Sequence, residues 1–360
     1  MCIALISTAH PSYSLIIINN RDEYLLRPTA PATYWPSPNT HILGGRDLAR
    51  KTQGTWMGIT TSGKIAVLTN YRERTADAAT GNQSRGAIVN SWLMRPETET
   101  CSNRDEMIGY VGEMVGSPTA RNVGGFSLVC GYVGNKGKDG KGDGEREPLA
   151  VVSNRSSRME QVEWIAGEES ASESGERGTK AGTGKTVGLS NTVFDDRSWP
   201  KILDGERMVE DEIAGHTKAG EDEEELIQRL LGVLNTNSLP QLDRDATAED
   251  YLPYFRRSIF IPLIGTREKK GPATAGEIPA PETKQSSCVE GHGHGSANGT
   301  DNDILDQSYL HGPYGTQKQT IILVSKDDRV RYFERTLYDG EAKPVPIGEG
   351  DRSFEFQVTR

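Results

Sequence analysis

The sequence predicts an α+β protein in which two antiparallel sheets carry helices on their outer faces. Two observations lead there. Short β-branched and aliphatic segments crowd both ends of the 360-residue chain, while the amphipathic segments with helical spacing fall in its middle. Neighbouring strand segments are also joined by short turns. Strands and helices therefore do not alternate as a βαβ sheet requires, and closely joined strands pair antiparallel.

The elements follow in order. Cys2–Thr8 and Ser14–Asn19 are apolar and β-branched around Pro11-Ser12, which reads as a hairpin. Pro28 to Pro38 reads as an irregular Pro-rich stretch that leads into His41 to Asp47. Thr55–Thr61 and Lys64–Asn70 flank Ser62-Gly63 and form a second pair. Ser84–Arg95 sets Ile88, Val89, Trp92 and Leu93 on one helical face before Pro96 stops it. Arg104–Met114 is a weaker helix. Phe126–Val133, Leu149–Ser153 and Thr186–Asn191 return to strand. Trp199–Ala214 and Glu223–Leu234 are amphipathic helices, and the acidic run from Glu221 to Glu225 suits a helix start. Ser258–Ile264, Thr320–Ser325, Arg329–Arg335 and Phe354–Val358 are the closing strands.

Three segments carry almost no large apolar residues: 134–147, 167–185 and 266–312. Such composition buries too little surface to offset chain entropy, so they read as disordered insertions in one domain spanning 1–360. They account for an apolar fraction of only 34%. The net charge of −10, without a basic stripe, speaks against nucleic acid and against an anionic membrane surface. No apolar run approaches the ~18 residues that span a bilayer. The start of the chain has neither the basic flank nor the apolar core of a signal peptide. Cys2, Cys101, Cys130 and Cys288 are scattered without a CxxC pair, which reads as free thiols in a reducing compartment, the cytosol by default.

Chemistry centres on Cys2. Removal of Met1 ahead of so small a side chain would leave Cys2 with a thiol and a free α-amine, both titrating near neutrality. One residue then supplies a nucleophile and its own base. The alternative is an ordinary second residue or an acylation site. The hairpin adds to this, because it brings the end of Ser14–Asn19, and so Asn20-Arg21-Asp22, beside Cys2. Asp22 could hold the amine; Arg21 could lower the thiol pKa or grip a carboxylate. The plainer alternative is a salt-bridged strand end.

Several motifs recur in a fixed order. Met1-Cys2-Ile3 precedes Asn20-Arg21-Asp22-Glu23, Arg27-Pro28, Trp35 and Leu43-Gly44-Gly45-Arg46-Asp47. Gly54-Thr55-Trp56-Met57-Gly58 and Leu68-Thr69-Asn70-Tyr71-Arg72 come next, then Ser84-Arg85-Gly86, Gly188-Leu189-Ser190-Asn191, Trp199-Pro200-Lys201 and Tyr314-Gly315-Thr316 before Thr320 to Val324. This series resembles the NRDE family of transport-and-Golgi-organisation proteins and spans nearly the whole chain. The resemblance implies a four-layer αββα sandwich like that of the N-terminal-nucleophile hydrolases, closest to the branch that starts with Cys. It implies Cys2 as nucleophile, Asp22 as its partner, and Asn70 and Asn191 as oxyanion donors, with Arg21 and Asn20 on the substrate side. It also implies a role in Golgi organisation and secretion, association with the Golgi or mitochondria, and handling of a small hydrophobic or anionic ligand. Haem or acyl-CoA would serve as that ligand, with Cys2 or His10 on a haem iron. The hydrolase branch carries a further downstream Arg, for which Arg256 and Arg257 are candidates. After Tyr-Gly-Thr the family leads one to expect Arg, where this chain has Gln317.

Other motifs read more plainly. His292 and His294 lie in an insertion with no acidic or Cys partner at fixed spacing, so no metal site is assigned. Gly182 to Thr186 lacks the upstream Gly and the following helix of a phosphate loop. Cys130, Trp35, Trp56 and Trp92 read as core.

Overall fold

The computed structural model describes residues 2–71, 84–97, 101–117, 123–134, 147–167, 184–243, 245–265, 309 and 311–359. The three expected insertions fall, apart from their edges, outside these residues.

Two antiparallel sheets form the middle of the fold. The first runs in the order β10 (Thr186–Leu189), β1 (Ile3–Ser7), β2 (Tyr13–Tyr24), β11 (Tyr314–Ser325), β12 (Arg329–Thr336) and β13 (Asp351–Gln357). The second runs from β3 (Thr29–Tyr34) through β4 (Ile42–Asp47), β5 (Met57–Thr60), β6 (Lys64–Asn70), β7 (Phe126–Tyr132) and β8 (Leu149–Ser153) to β9 (Glu163–Ile165). Helices α1 (Gly86–Leu93) and α2 (Asn103–Gly116) pack on the second sheet. Helices α3 (Pro200–Ala219) and α4 (Glu223–Leu234) pack on the first, with a short α5 (Ala248–Tyr251) beyond them.

Strand periodicity explains the layering. Ala4, Ile6, Leu15 and Ile17 point inward and share a core with Met57, Ile65, Val67 and Val129 of the other sheet. Ile3, Leu5, Ile16 and Ile18 point outward onto Val209, Ile213, Leu226 and Leu230 of the helices. A strand covered on both faces must be apolar at every position, hence the uninterrupted Leu15 to Ile18. On the far side Ala66, Leu68 and Leu128 meet Val89, Trp92 and Val111. The result is the expected α-β-β-α stack.

Several boundaries differ from the sequence reading, each for a local reason. Pro28 to Pro38 is not irregular throughout, because β3 occupies its middle. Pro31 is tolerated there on an edge strand with a register shift between Ala30 and Thr33. Ser258–Ile264 is not a strand: only Ile264 bridges, to Tyr314, and Pro262 interrupts the run. Conversely β2 continues through the polar residues 20–23 to Tyr24, because β11 starts at Tyr314 and pairs it along that length. Strand β9, three residues long, gave too short a pattern to read. Trp35 and Trp92 are buried as expected, their indole N–H groups donating to Gly44 and Ile65 carbonyls. Cys130 is buried, and burial pushes its thiol up to about 12. Asp222 caps α4, and its own N–H is taken by Glu225.

A histidine pair fastens the β1–β2 turn to the end of α3. The Ser12 N–H donates to His10 Nδ1 (3.0 Å), so the His10 proton sits on Nε2 and donates to His216 Nδ1 (3.1 Å). His216 Nε2–H then donates to the Asp222 carbonyl (2.9 Å). The His10 ring is neutral in this chain of bonds. Burial first, then His216 and Lys326, lower His10 from 6.5 to about 4. The unfolded chain thus binds an extra proton between those values. Stability is whole above pH 6.5 and is lost as pH falls toward 4. In urea unfolding at pH 7 and pH 4.5, the wild type should lose on the order of 2 kcal/mol more than His10→Asn. Equal losses would contradict the assignment.

Candidate active site

The site forms where the ends of four strands meet. Register Ile3↔Asn20 sets the start of β1 beside residues 21 and 22 of β2. The half-buried Cys2 thiol lies 3.8 Å from the Asp22 carbonyl oxygen. On the other edge of β1, Ser190 Oγ donates to the Cys2 carbonyl (2.7 Å), and the Ser190 carbonyl accepts from Thr69 Oγ1 (2.9 Å) of the second sheet. The next residue, Asn191, donates from Nδ2 to the Asn70 carbonyl (2.6 Å). Cys2 is thereby linked to the second sheet next to the place where Asn191 meets Asn70. Ser190 and Thr69, quoted in motifs without a role, are the bridge that does it.

Asp22 is buried and held from β11. Its Oδ1 accepts from Thr316 Oγ1 (2.7 Å), and Thr316 Oγ1 accepts in turn from the Ile261 N–H (2.9 Å). The Tyr314 hydroxyl donates to the Asp22 carbonyl (3.3 Å). Burial pushes the Asp22 carboxyl up, while Lys201 and the Thr316 hydrogen bond oppose that shift. Burial likewise pushes the Cys2 thiol up, against the positive charge of Arg21.

Cations surround this pair. The Arg21 guanidinium stacks 4.6 Å from the Trp56 ring centre, and its Nη1 donates to Gln317 Oε1 (2.5 Å). Gln317, where Arg was expected, thus orients Arg21. Arg27 pairs with Asp47 (2.7 Å). Arg85 donates to the Gly125 carbonyl (3.3 Å); burial, with Arg27 and Arg50 adding to it, lowers it to about 10, although Glu23 and Cys2 work the other way. Arg85 owes its place to a backbone contact. A Cβ on Gly54 would stand 2.7 Å from Gly86, at the start of α1. A further cation is Lys201, fully buried in the first turn of α3, whose charge acts on Asp22 and Cys2.

Three expectations change. Asn20 lies on the outer face, alternate to Arg21, and its Nδ2 donates to the Leu234 (2.8 Å) and Ile259 (2.9 Å) carbonyls. It fastens α4 to the sheet and does not face Cys2. Arg256 and Arg257 are exposed; Arg256 supplies only its carbonyl, to the Lys201 N–H (3.3 Å). His10 follows β1 whereas Cys2 precedes it, roughly 16 Å away by strand rise, and both its ring nitrogens are engaged. Beyond Gln317 opens a cavity of about 400 Å³ lined by Thr29, Lys318, Thr336, Tyr338 and Arg352 among others.

A family model described as Transport and Golgi organisation 2 matches residues 1–339. The chain belongs to the Transport and Golgi organisation 2 family. It is 27% identical to the human Transport and Golgi organization protein 2 homolog, over 96% of this chain and 94% of the relative. An uncharacterized protein of Saccharomyces cerevisiae is 25% identical over 99% of this chain and 100% of its own. Among solved structures, a Caenorhabditis elegans N-acylethanolamine-hydrolyzing acid amidase ortholog aligns over 64% of this chain and 85% of its own, with a TM-score of 0.36 and 11% identity.

In this family member, Gly54→Ala should drive α1 away from the second sheet. The expected loss is about 1–3 kcal/mol of unfolding free energy, the range for a forced backbone shift, in urea titration. An unchanged value would show that the two segments separate freely.

Proposed function

We propose that this chain serves Golgi organisation, the role its family's name carries, and protein secretion, by handling a small anionic acyl compound at Cys2. An acyl-CoA thioester is the foremost candidate, and the acyl group passes to the thiol. The observation that carries this reading is a half-buried thiol beside the Asp22 backbone carbonyl, on a residue whose own carbonyl is bonded by Ser190, the neighbour of Asn191, with the charges of Arg21 and Arg85 acting at the same place. The cations suit the anionic part of the ligand.

The chemistry needs Met1 removed. The Cys2 α-amine takes the thiol proton as sulfur attacks the acyl carbonyl carbon. The carbonyl oxygen becomes an oxyanion, to which Asn70 and the second Nδ2 hydrogen of Asn191 donate. Collapse breaks the bond to the leaving thiolate or amine, which takes the proton from the α-amine. The thioester on Cys2 is then released by water with the amine again as base, giving the carboxylic acid. Haem is the weaker reading, because it would rest on Cys2 without His10. Among the described residues no helix is long and apolar enough to cross a membrane, which suits peripheral association with the Golgi.

The test is mass spectrometry with an acyl-CoA of defined chain length. An acyl mass on the Cys2 peptide that survives denaturation is expected, absent in Cys2→Ala. Asp22→Asn should slow its appearance roughly 100-fold, the low end of the range for impaired proton transfer, because the amine that moves the proton loses the group that holds it. A ligand seen only under native conditions, with bare Cys2 after denaturation, would overturn acyl transfer in favour of carriage.

A further inference from the structure

Three cations face inward from neighbouring strands at the Cys2 end of the first sheet. The inner face is marked by Leu15 and Ile17 of β2, Ile322 of β11, Tyr332 of β12 and Phe354 of β13, which enter the core between the sheets. By strand alternation Arg21, Lys318, Glu334, Thr336 and Arg352 share that face. Register sets Arg21 opposite Lys318, Lys318 opposite Thr336, and Glu334 opposite Arg352. Gln317 is the extra residue of a bulge at this point, between Thr316 and Lys318. Like charges directly opposite each other weaken a sheet, and Arg21 and Lys318 are both buried.

Carboxylates do not balance this set. Lys318 Nζ donates to Thr336 Oγ1 (2.9 Å) and to Glu334 Oε1 (3.4 Å), which also accepts the Ala32 N–H (2.7 Å). Arg21 has Gln317 and the Trp56 ring, and Arg352 has the Ala32 carbonyl (3.4 Å). Among the described residues neither guanidinium pairs with a carboxylate. Burial lowers the Lys318 ammonium, and Arg21 and Arg352 add to that against Glu334. The cavity of about 400 Å³ beyond Gln317 opens on this set, with Lys318, Thr336 and Arg352 in its wall. A glycine brings up the opposite wall: a Cβ on Gly350 would collide with the Thr336 carbonyl oxygen, and the Gly350 carbonyl accepts the Thr336 N–H (3.0 Å). Three acidic residues also line the cavity, and two are held elsewhere. Arg335 donates twice to Asp351 (2.8 and 2.7 Å), and Asp339 Oδ1 accepts the N–H groups of Glu341 and Lys343 in its own turn (2.8 Å each). The third, Glu349, is exposed.

We propose that this cavity binds a doubly charged oxyanion, a phosphate group, held by Lys318, Thr336 and Arg352, with Arg21 behind Gln317. Two guanidinium charges without carboxylates call for two negative charges, and a phosphate brings them with several acceptor oxygens. The site is in line with Cys2. The rung after Ile3↔Asn20 sets Cys2 beside Arg21, and Lys318 and Thr336 follow on the next two strands. The phosphate therefore sits roughly 10–14 Å from the thiol, at about 4.8 Å per strand. The substrate of Cys2 would then carry its phosphate at that distance from the reacting carbonyl. This last step rests on the acyl-transfer reading; the anion site does not.

The test is a ³¹P NMR titration of the whole protein with inorganic phosphate at low ionic strength. Saturable binding is expected, weakened about tenfold or more in Arg352→Ala and in Lys318→Met, the loss for a charged hydrogen-bond partner. Arg352 is exposed, so its variant serves even if Lys318→Met does not fold. Lys343→Ala, exposed and outside the cavity, should bind as the wild type does. No saturable binding, an unchanged affinity in Arg352→Ala, an equal loss in Lys343→Ala, or equally tight binding of acetate would each overturn the proposal. The link to Cys2 is read separately, by comparing an acyl-CoA with the same acyl thioester of N-acetylcysteamine, which has no phosphate. KM for acylation should be about tenfold lower for the acyl-CoA, and Arg352→Ala should remove the difference. Equal KM values in the wild type would overturn the link. If phosphate binds as described while no acyl group reaches Cys2, the anion site stands and the acyl-transfer reading falls.

Discussion

Strand β1 is hydrogen-bonded to β10 along one edge and to β2 along the other, and both of its faces are buried. A five-residue strand in that position cannot slip: a shift of one residue would turn Ala4 and Ile6 onto the helices and Ile3 and Leu5 into the space between the sheets. Cys2 inherits this fixed register. Its carbonyl is claimed by Ser190 beyond β10, and its thiol faces the Asp22 carbonyl on β2. The thiol of an ordinary chain end is mobile. Here it is set by the same hydrogen bonds and core contacts that hold the first sheet together.

The second constraint is electrostatic and runs against the bulk composition. The chain carries a net charge of −10, yet Cys2 and Asp22 sit among Arg21, Arg85 and Lys201. Buried charges are tolerated only with partners, and two of these cations are visibly tied down: Arg21 by Trp56 and Gln317, Arg85 by the Gly125 carbonyl. An anionic acyl compound entering such a place meets positive charge without the cost of assembling it. That preorganisation is the physical basis of the proposed function, and net charge alone conceals it.

How much of this was legible in the sequence depends on the range of the interaction. Local periodicity gave most strands and helices, and the hairpin argument alone put residues 20–22 beside Cys2. The resemblance to the NRDE family supplied Asn70 and Asn191, which no spacing argument reaches, since 121 residues separate the pair that hydrogen-bond. Arg85 and Lys201 were present only as letters in motifs. Their places need tertiary facts: the touching backbones of Gly54 and Gly86, and the packing of α3 on β10 and β1. The one signal available for Lys201 was its place in Trp199-Pro200-Lys201, a lysine where a helix start disfavours cations. Asn20 misled for a simple reason. It shares a motif with Arg21 and Asp22, but strand alternation sends it to the opposite face from Arg21, where it ties down the end of α4. Ser258–Ile264 misled because its apolar pattern reflects burial under Phe255 and Tyr314 and not strand pairing.

If Cys2 acts with its own α-amine, the protein purified from its own cells has an intact mass lacking Met1 and an unblocked Cys2 at the amino terminus. Retention of Met1, or acetylation of Cys2, would contradict it.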